Sequence, residues 1–358
     1  MEANLSRAVC RLVINPPPSC VKRIVFAAAL TMTSDVAFSQ SNVTLYGVLD
    51  TSIEATNTGQ HVTARMDSGS LLGSQWGITG REDLGGGQFV DFKLENGFFS
   101  QNGQAADKTL AFSRQAWVGF SGGWGNVRFG RQHSPVYSNV APMLDAFGVV
   151  GMGSGFNNFI TITPRANNSI RYETPTWNGL KAQAMVSLRD STTTPSNGVN
   201  DYFGGIEYAN DGPVNGAFGI ERSHTTDGAV TKAEFFGISY GIKKVRAYFA
   251  MEHATVGERL AKNLASLSAR YQPTVSDYMS VGYSYVRDTT AAHNDASQIG
   301  FIYQHFLSVR TSLYASAAYL WNKKNATYTL NGATVTGIPV DYPGAPVRGV
   351  LFGMMHKF

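Results

Sequence analysis

From Gln40 onward the chain alternates apolar and polar residues with a period of two, in segments of about ten residues. Clusters of Gly, Pro, Asn and Asp separate these segments. In Lys244–Glu252, Val245, Ala247, Phe249 and Met251 share one face, while Lys244, Arg246, Tyr248 and Glu252 share the other. Gln88–Asn96 sets Val90, Phe92 and Leu94 against Asp91, Lys93 and Glu95; Leu313–Trp321 repeats the pattern with Leu313, Ala315, Ala317, Tyr319 and Trp321. The connections fall into two sets that alternate strictly along the chain. Short ones lie at 82–87, 122–125, 176–179, 210–213, 241–243, 272–274 and near His305. Longer polar ones lie near 55–73, 100–108, 134–168, 190–201, 224–231, 253–260, 288–296 and 322–346. This spacing predicts an all-β fold of about sixteen antiparallel strands, an even number that closes a barrel with both termini at one end. A soluble sandwich also alternates, but its apolar face needs a second layer, and no segment supplies covering helices. Closure is also what lipid demands, because every backbone N–H and C=O facing hydrocarbon must find a partner within the protein.

Composition sharpens this picture. The 358 residues are 43% hydrophobic and 12% aromatic but only 15% charged, with 38 glycines; soluble domains carry roughly 25% charged residues. No apolar run reaches the roughly 20 residues of a membrane-spanning helix, so a helical membrane protein is excluded. The aromatic content speaks against disorder. Tyr46, Trp117, Phe301, Tyr319 and Trp321 are expected near strand ends at headgroup level, with ordinary core packing as the alternative. The histidines of the chain (His61, His133, His224, His253, His293, His305 and His356) are scattered, without metal or nucleophile spacing. Nor is any cofactor motif present. Gly151-Met152-Gly153-Ser154-Gly155 superficially suggests a phosphate loop, but no helix is expected after it.

The amino-terminal segment has a different grammar. Lys22-Arg23 precedes the apolar run Ile24–Leu30, and Ala37-Phe38-Ser39 precedes Gln40. That order of basic, apolar and small-x-small elements is the layout of a secretory signal peptide over 21–39. Residues 1–20, with Pro16-Pro17-Pro18, fit no part of it and read as an extension of the gene model, with translation starting at Val21. Cleavage before Gln40 removes both cysteines, Cys10 and Cys20, so the mature chain of 40–358 has no disulfide or thiolate chemistry. It also removes Arg7, Arg11, Lys22 and Arg23 with Glu2 and Asp35. The formal charge of +4 thereby moves closer to zero and carries no message about nucleic acid.

Several linked motifs resemble the general porins of β-proteobacteria. They are Gln40–Asp50, Trp76-Gly77-Ile78-Thr79-Gly80 running into Glu82–Gly87, Leu94–Phe98, Arg114–Phe120, Gly130-Arg131-Gln132, Asn168–Tyr172 and the terminal Gly353–Phe358. The resemblance implies a homotrimer of sixteen-stranded outer-membrane barrels, with short periplasmic turns and long external loops. It also implies a water-filled diffusion channel for small solutes and ions, and it makes 134–168 an inward-folded loop 3. Long excursions of this kind are usually functional or disordered.

By motif position, the resemblance places Arg114, Arg131 and Arg171 on the wall opposite that loop. Parity supports Arg171, since Ile170 and Tyr172 take the other face, but does not choose between Arg128 and Arg131. At Gln75 the family usually has arginine, so one member of the basic cluster is absent, with nearby Arg65 a candidate to substitute for it. Asp145 is the only acid in 134–168, facing Arg165 and His133, with Glu173 beside Arg171. A net positive eyelet with weak anion preference is the expectation. The alternative for each arginine is a solvated wall position without special role.

The terminal strand ends on Phe358, in phase with His356, Met354, Phe352 and Val350. That pattern resembles the signal read by the outer-membrane assembly machinery. Lipid and lipopolysaccharide are the remaining expected partners. A substrate-specific channel with saturable conductance is the main competing function; a barrel enzyme or an adhesin would need a catalytic constellation or long exposed loops.

Overall fold

The computed structural model describes residues 42–188 and 199–358. The leader, its cleavage site and most of the connection expected at 190–201 lie outside them. Seventeen strands follow in chain order: β1 Asn42–Asn57, β2 Val62–Ser68, β3 Gln75–Gly85, β4 Gln88–Gly97, β5 Gln115–Gly122, β6 Gly125–His133, β7 Arg165–Glu173, β8 Leu180–Leu188 and β9 Val199–Tyr208. The rest are β10 Val214–His224, β11 Val230–Ile242, β12 Val245–Val256, β13 Leu260–Tyr271, β14 Asp277–Asp288, β15 Ala296–Phe306, β16 Thr311–Asn322 and β17 Val347–Lys357. Every neighbour pairing is antiparallel, and β17 returns to pair with β1 from Val48↔Lys357 to Asn57↔Arg348, closing the sheet.

The count of seventeen is consistent with a sixteen-stranded barrel because β2 and β3 are one barrel strand, interrupted. β1 pairs with β2 over Thr51–Asn57 and with β3 over Asn42–Val48. Between them the insertion 69–74 is held by Asp50, whose carboxylate accepts the amides of Leu71 at 2.7 Å and Leu72 at 2.8 Å. The long loop expected at 55–73 is thus mostly strand. The connections expected at 224–231 and 253–260 are also short, Thr225–Ala229 and Gly257–Arg259, because the twelve- and thirteen-residue strands β11, β12 and β13 run past the point where alternation fades. At the opposite end, Asn178 and Gly179 both have positive φ, 50° and 85°, and Trp177 pairs with Leu180 across them. That is the I′ geometry which matches strand twist, and Asn-Gly adopts it most readily.

Two faces emerge from the alternation. In β11, Thr231, Ala233, Phe235, Gly237 and Ser239 face the interior, while Phe236, Ile238, Tyr240 and Ile242 are exposed on the outer wall. Lys244–Glu252 and Leu313–Trp321 follow the expected parity, with Val245, Phe249, Met251 and Trp321 outward. Two of the expected interfacial aromatics do not. Tyr46 points inward and donates to Glu95 Oε2 at 2.7 Å, and Trp117 lies on the interior face, bonded to Gln115 Oε1 at 3.1 Å. Proximity to a strand end made them look interfacial, but their phase within the strand puts them inside.

The interior is filled by the segment between β6 and β7, residues 134–164, which is shorter at its end than the expected 134–168 because β7 begins at Arg165. It contains a turn of π-helix over Val136–Val140, a 3-10 turn over Ala141–Met143 and the short helix α1, Gly155–Phe159. Small wall residues make room for it. A Cβ on Gly219 would lie 3.2 Å from Val140, one on Gly237 2.7 Å from Leu144, one on Gly282 2.9 Å from Phe147, and one on Gly300 1.9 Å from the Gly153 carbonyl oxygen. Gly205 and Gly219 are direct cross-strand partners, as are Gly282 and Gly300. These glycines line a shallow track in the wall in which the loop lies, its Val136, Val140, Leu144, Phe156 and Phe159 buried. Packing at this density leaves no slack for an added methyl group. Polar clamps fix the ends: Glu252 accepts the Thr161 amide at 2.6 Å, and Glu221 accepts that of Thr163 at 3.1 Å.

Candidate functional site

Three inward segments meet in the lumen. The last connection, 323–346, folds back so that the Asn331 amide donates to Asn158 Oδ1 of the long loop at 2.8 Å, and Asn157 Nδ2 donates to the Asn331 carbonyl at 3.2 Å. The amides of Ala333 and Thr334 donate to the carbonyls of Ser70 and Gly69 in the insertion, at 3.0 and 3.1 Å. Together these segments face the inner surface of β3 to β8. Sequence reading identified only one of the three as inward-folding, since nothing local distinguishes a loop that folds in from one that folds out.

The facing wall carries the charge. Glu95, buried at its centre, accepts Arg114 Nε at 2.9 Å and Tyr46 Oη, with Gln75 Nε2 and Gln115 Nε2 each at 3.3 Å and Lys93 Nζ at 3.5 Å. Gln75, where the resemblance implies arginine, donates to this carboxylate without adding charge. Arg65, on β2, does not replace that arginine: it is held by its strand neighbour Asp67 at 2.7 Å and by Glu54 of β1 at 3.5 Å.

Arg114, Arg131 and Arg165 line one cavity of about 370 Å³ with Tyr137 of the long loop and Thr334 of the last connection. Arg131 has the outward parity of Phe129 but turns to the cavity rim, its Nε donating to the Ser113 carbonyl at 2.9 Å. Arg165 opens β7, and its buried Nε and Nη2 have no hydrogen-bond partner among the described residues. Among the described residues, Asp107 is the only carboxylate in the lining.

Arg171 sits elsewhere. Its guanidinium donates to the His133 carbonyl at 3.1 Å, to Ser138 Oγ at 3.0 Å, to Asn139 Oδ1 at 2.7 Å and to Glu173 Oε2 at 2.8 Å. It is a strut for the root of the loop rather than a free wall charge. Glu173 is shared further, with Lys181 Nζ at 2.7 Å and Arg128 at 3.9 Å. Arg128 has interior parity and stacks over Trp117 at 4.7 Å, which resolves the ambiguity that spacing left. The signals that could have identified Lys93, Glu95 and Arg128 were in their strand phase.

Asp145 corrects the expected acid side. It is 1% exposed and folded into its own loop, accepting the amides of Phe147 at 3.1 Å and Val149 at 2.6 Å and the Ser154 hydroxyl at 2.5 Å. A carboxylate so enclosed shapes the loop and presents nothing to a passing ion. The glycine-rich stretch is corrected too: α1 does follow it, with Ser154 Oγ accepting the Asn157 amide at 2.9 Å. A Cβ on Gly155 would lie 2.7 Å from Ser284, so no phosphate fits there. At the other end of the barrel, Phe358 exchanges two 3.0 Å backbone bonds with Gly47 and lays its ring over it, and His356 Nδ1 lies 2.9 Å from Thr311 Oγ1.

A closed membrane-type barrel with an inward loop and a basic wall finds its counterparts among known proteins. The sequence pattern defining Gram-negative porins matches residues 27–325. Outer membrane porin protein 32 of Delftia acidovorans is 31% identical over 94% of this chain and all of its own length. The major outer membrane protein P.IB of Neisseria meningitidis is 24% identical over 92% of this chain and 98% of its own. Among solved structures, an anion-selective porin from Comamonas acidovorans superposes with a TM-score of 0.77 at 28% identity, covering 89% of this chain and all of that one. The chain belongs to the Gram-negative porin family, a channel-forming β-barrel of the outer membrane.

Proposed function

We propose that this porin passes small hydrophilic solutes by diffusion with a weak preference for anions. The observation that carries the reading is the charge balance of the wall opposite the long loop. Lys93, Arg114, Arg128, Arg131, Arg165, Arg171 and Lys181 outnumber Glu95, Asp107, Glu173 and Glu207, and Asp145 is withdrawn into the loop. Charge at a narrow point of a low-dielectric wall focuses field lines and enriches the opposite ion. Much of the surplus is hydrogen-bonded to protein, and Gln75 withholds one cation, so enrichment amounts to a few-fold rather than exclusion of cations. The anion-selective relative fits the same reading.

The test is the zero-current potential across a planar bilayer in a KCl gradient. Anion preference that fades above about 1 M salt, where the screening length falls to about 3 Å, is expected; clear cation preference would overturn the charge argument. The same recording separates a general pore, with conductance linear in salt, from a saturable substrate-specific one. Stepwise closure in threes would support the homotrimer, which rests on family resemblance, as does the reading of Phe358 and His356 as an assembly signal; the signal peptide over 21–39 rests on its own order of basic, apolar and small residues. The family works as channels, and catalysis is no part of this proposal.

A further inference from the structure

The periplasmic ends of β12 and β13 carry a second basic cavity that the wall described above does not use. Arg246 and Arg270 are direct cross-strand partners, and both have the interior parity of their neighbours Tyr248 and Ser268. Like charges placed opposite one another on adjacent strands repel, and among the described residues neither guanidinium has a carboxylate partner. Arg246 Nη1 donates to the Pro213 carbonyl at 3.2 Å and to Ser239 Oγ at 3.1 Å. Arg270 Nε donates to the Ala146 carbonyl at 2.8 Å and stacks over Tyr278 at 5.0 Å. Lys243 and Lys244, on the turn between β11 and β12, stand at the rim of the same cavity of about 530 Å³, which has no Asp or Glu in its lining among the described residues. Asp145 is an acid near Arg270, and it is spent on the amides of Phe147 and Val149 and on Ser154. The bond to Ala146 ties Arg270 to the long loop, so the cavity lies where an ion leaves that loop for the periplasm.

We propose that the cavity lined by Arg246 and Arg270 is an oxyanion site, taking one small doubly charged anion of the phosphate or dicarboxylate type. Each fork keeps N–H groups free after its bonds to the protein, and planar forks match the oxygens of such anions. An anion in that cavity is attracted by both arginines, which offsets the repulsion of an otherwise unfavourable pairing. The inference rests on the anion-preference reading and extends it. A second station in series with the Arg114, Arg131 and Arg165 cavity lets an anion step through the pore instead of lodging at one point.

The experiment uses the purified full-length barrel in planar bilayers carrying a chloride current, with inorganic phosphate added to each side in turn. Phosphate should inhibit at lower concentration from the periplasmic side. Arg246→Ala should raise the half-inhibiting concentration from that side about tenfold, the worth of one charge-assisted bond. Arg246→Lys keeps the charge without the fork and should fall between; it carries the test if the alanine variant does not insert. Equal inhibition from both sides, or a half-inhibiting concentration unmoved by both variants, would overturn the site. A wild-type channel without anion preference but with phosphate inhibition dependent on Arg246 would overturn the functional reading and leave the site standing.

Discussion

Glu95 organises the charged wall one contact at a time. It is 1% exposed, and its two oxygens serve Arg114, Tyr46, Gln75, Gln115 and Lys93. Removing one partner of a buried pair leaves the other uncompensated, at a cost of about 3–5 kcal/mol. Arg114→Gln should therefore lower both the unfolding midpoint in detergent and the anion preference. Gln75→Arg should do the opposite to selectivity, strengthening anion preference a few-fold, because Glu95 is already neutralised and the new guanidinium is surplus. The two zero-current potentials, read side by side, check both outcomes. An unchanged potential in Gln75→Arg would mean that position 75 lies off the ion path. Asp145→Asn separates the loop-shaping role of that residue from an electrostatic one. The potential should stay put, while the loss of its charge-assisted bonds costs about 1.5–3 kcal/mol. A shift toward anions would show that its charge does reach the pore.

At the scale of elements, the inward loop is seated by what the wall lacks. Gly300 has no room for a methyl group, since its Cβ would fall 1.9 Å from a backbone oxygen that no rotamer can move. Gly300→Ala should cost about 1–3 kcal/mol of overpacking and push Gly153 toward the axis. Single-channel conductance should fall with the sign of selectivity kept; conductance equal to wild type would mean that the loop does not rest on this track. The last connection is pinned differently. Asp341 accepts the amides of Gln60 at 2.7 Å and His61 at 3.0 Å, which hold its carboxyl at about 2. A carboxyl depressed in the folded state stabilises fully above its unfolded value of about 3.9 and loses that contribution as pH falls through about 2. The pin between 58–61 and 341 should thus survive at pH 5 and release between about pH 4 and 2. Asp341→Asn should mimic the release at neutral pH, both read as faster proteolytic cleavage of the 323–346 connection.

For the whole molecule, closure is the decisive event. β17 pairs with β16 on one side and β1 on the other, and Phe358 makes the last two backbone bonds of the seam with Gly47. Deleting Phe358 should lower the yield of folded barrel in the outer membrane without changing export to the periplasm. Unchanged yield, measured as heat-modifiable protein in outer-membrane fractions, would reduce the residue to packing. A closed sheet with no free edge should also give a β-type circular dichroism spectrum that persists in mild detergent.

Alternation is a local property, since successive side chains must point to opposite faces of a strand. The all-β class, the barrel, the inward phase of Arg171 and the outward phase of Val245, Phe249 and Met251 could therefore all be read from neighbours two residues apart. The interrupted β2–β3 strand could not, because the insertion 69–74 depends on Asp50, about twenty residues earlier, to cap its amides. Nor could the fate of each charge. Arg270 meets Ala146 across 124 residues and Asn331 meets Asn158 across 173. Whether a carboxylate such as Asp145 faces a pore or the inside of its own loop is set by such distant contacts. The order of residues along the chain determined which side of the wall each side chain occupies, and closure of the barrel around its inward loops decided which of those side chains meet.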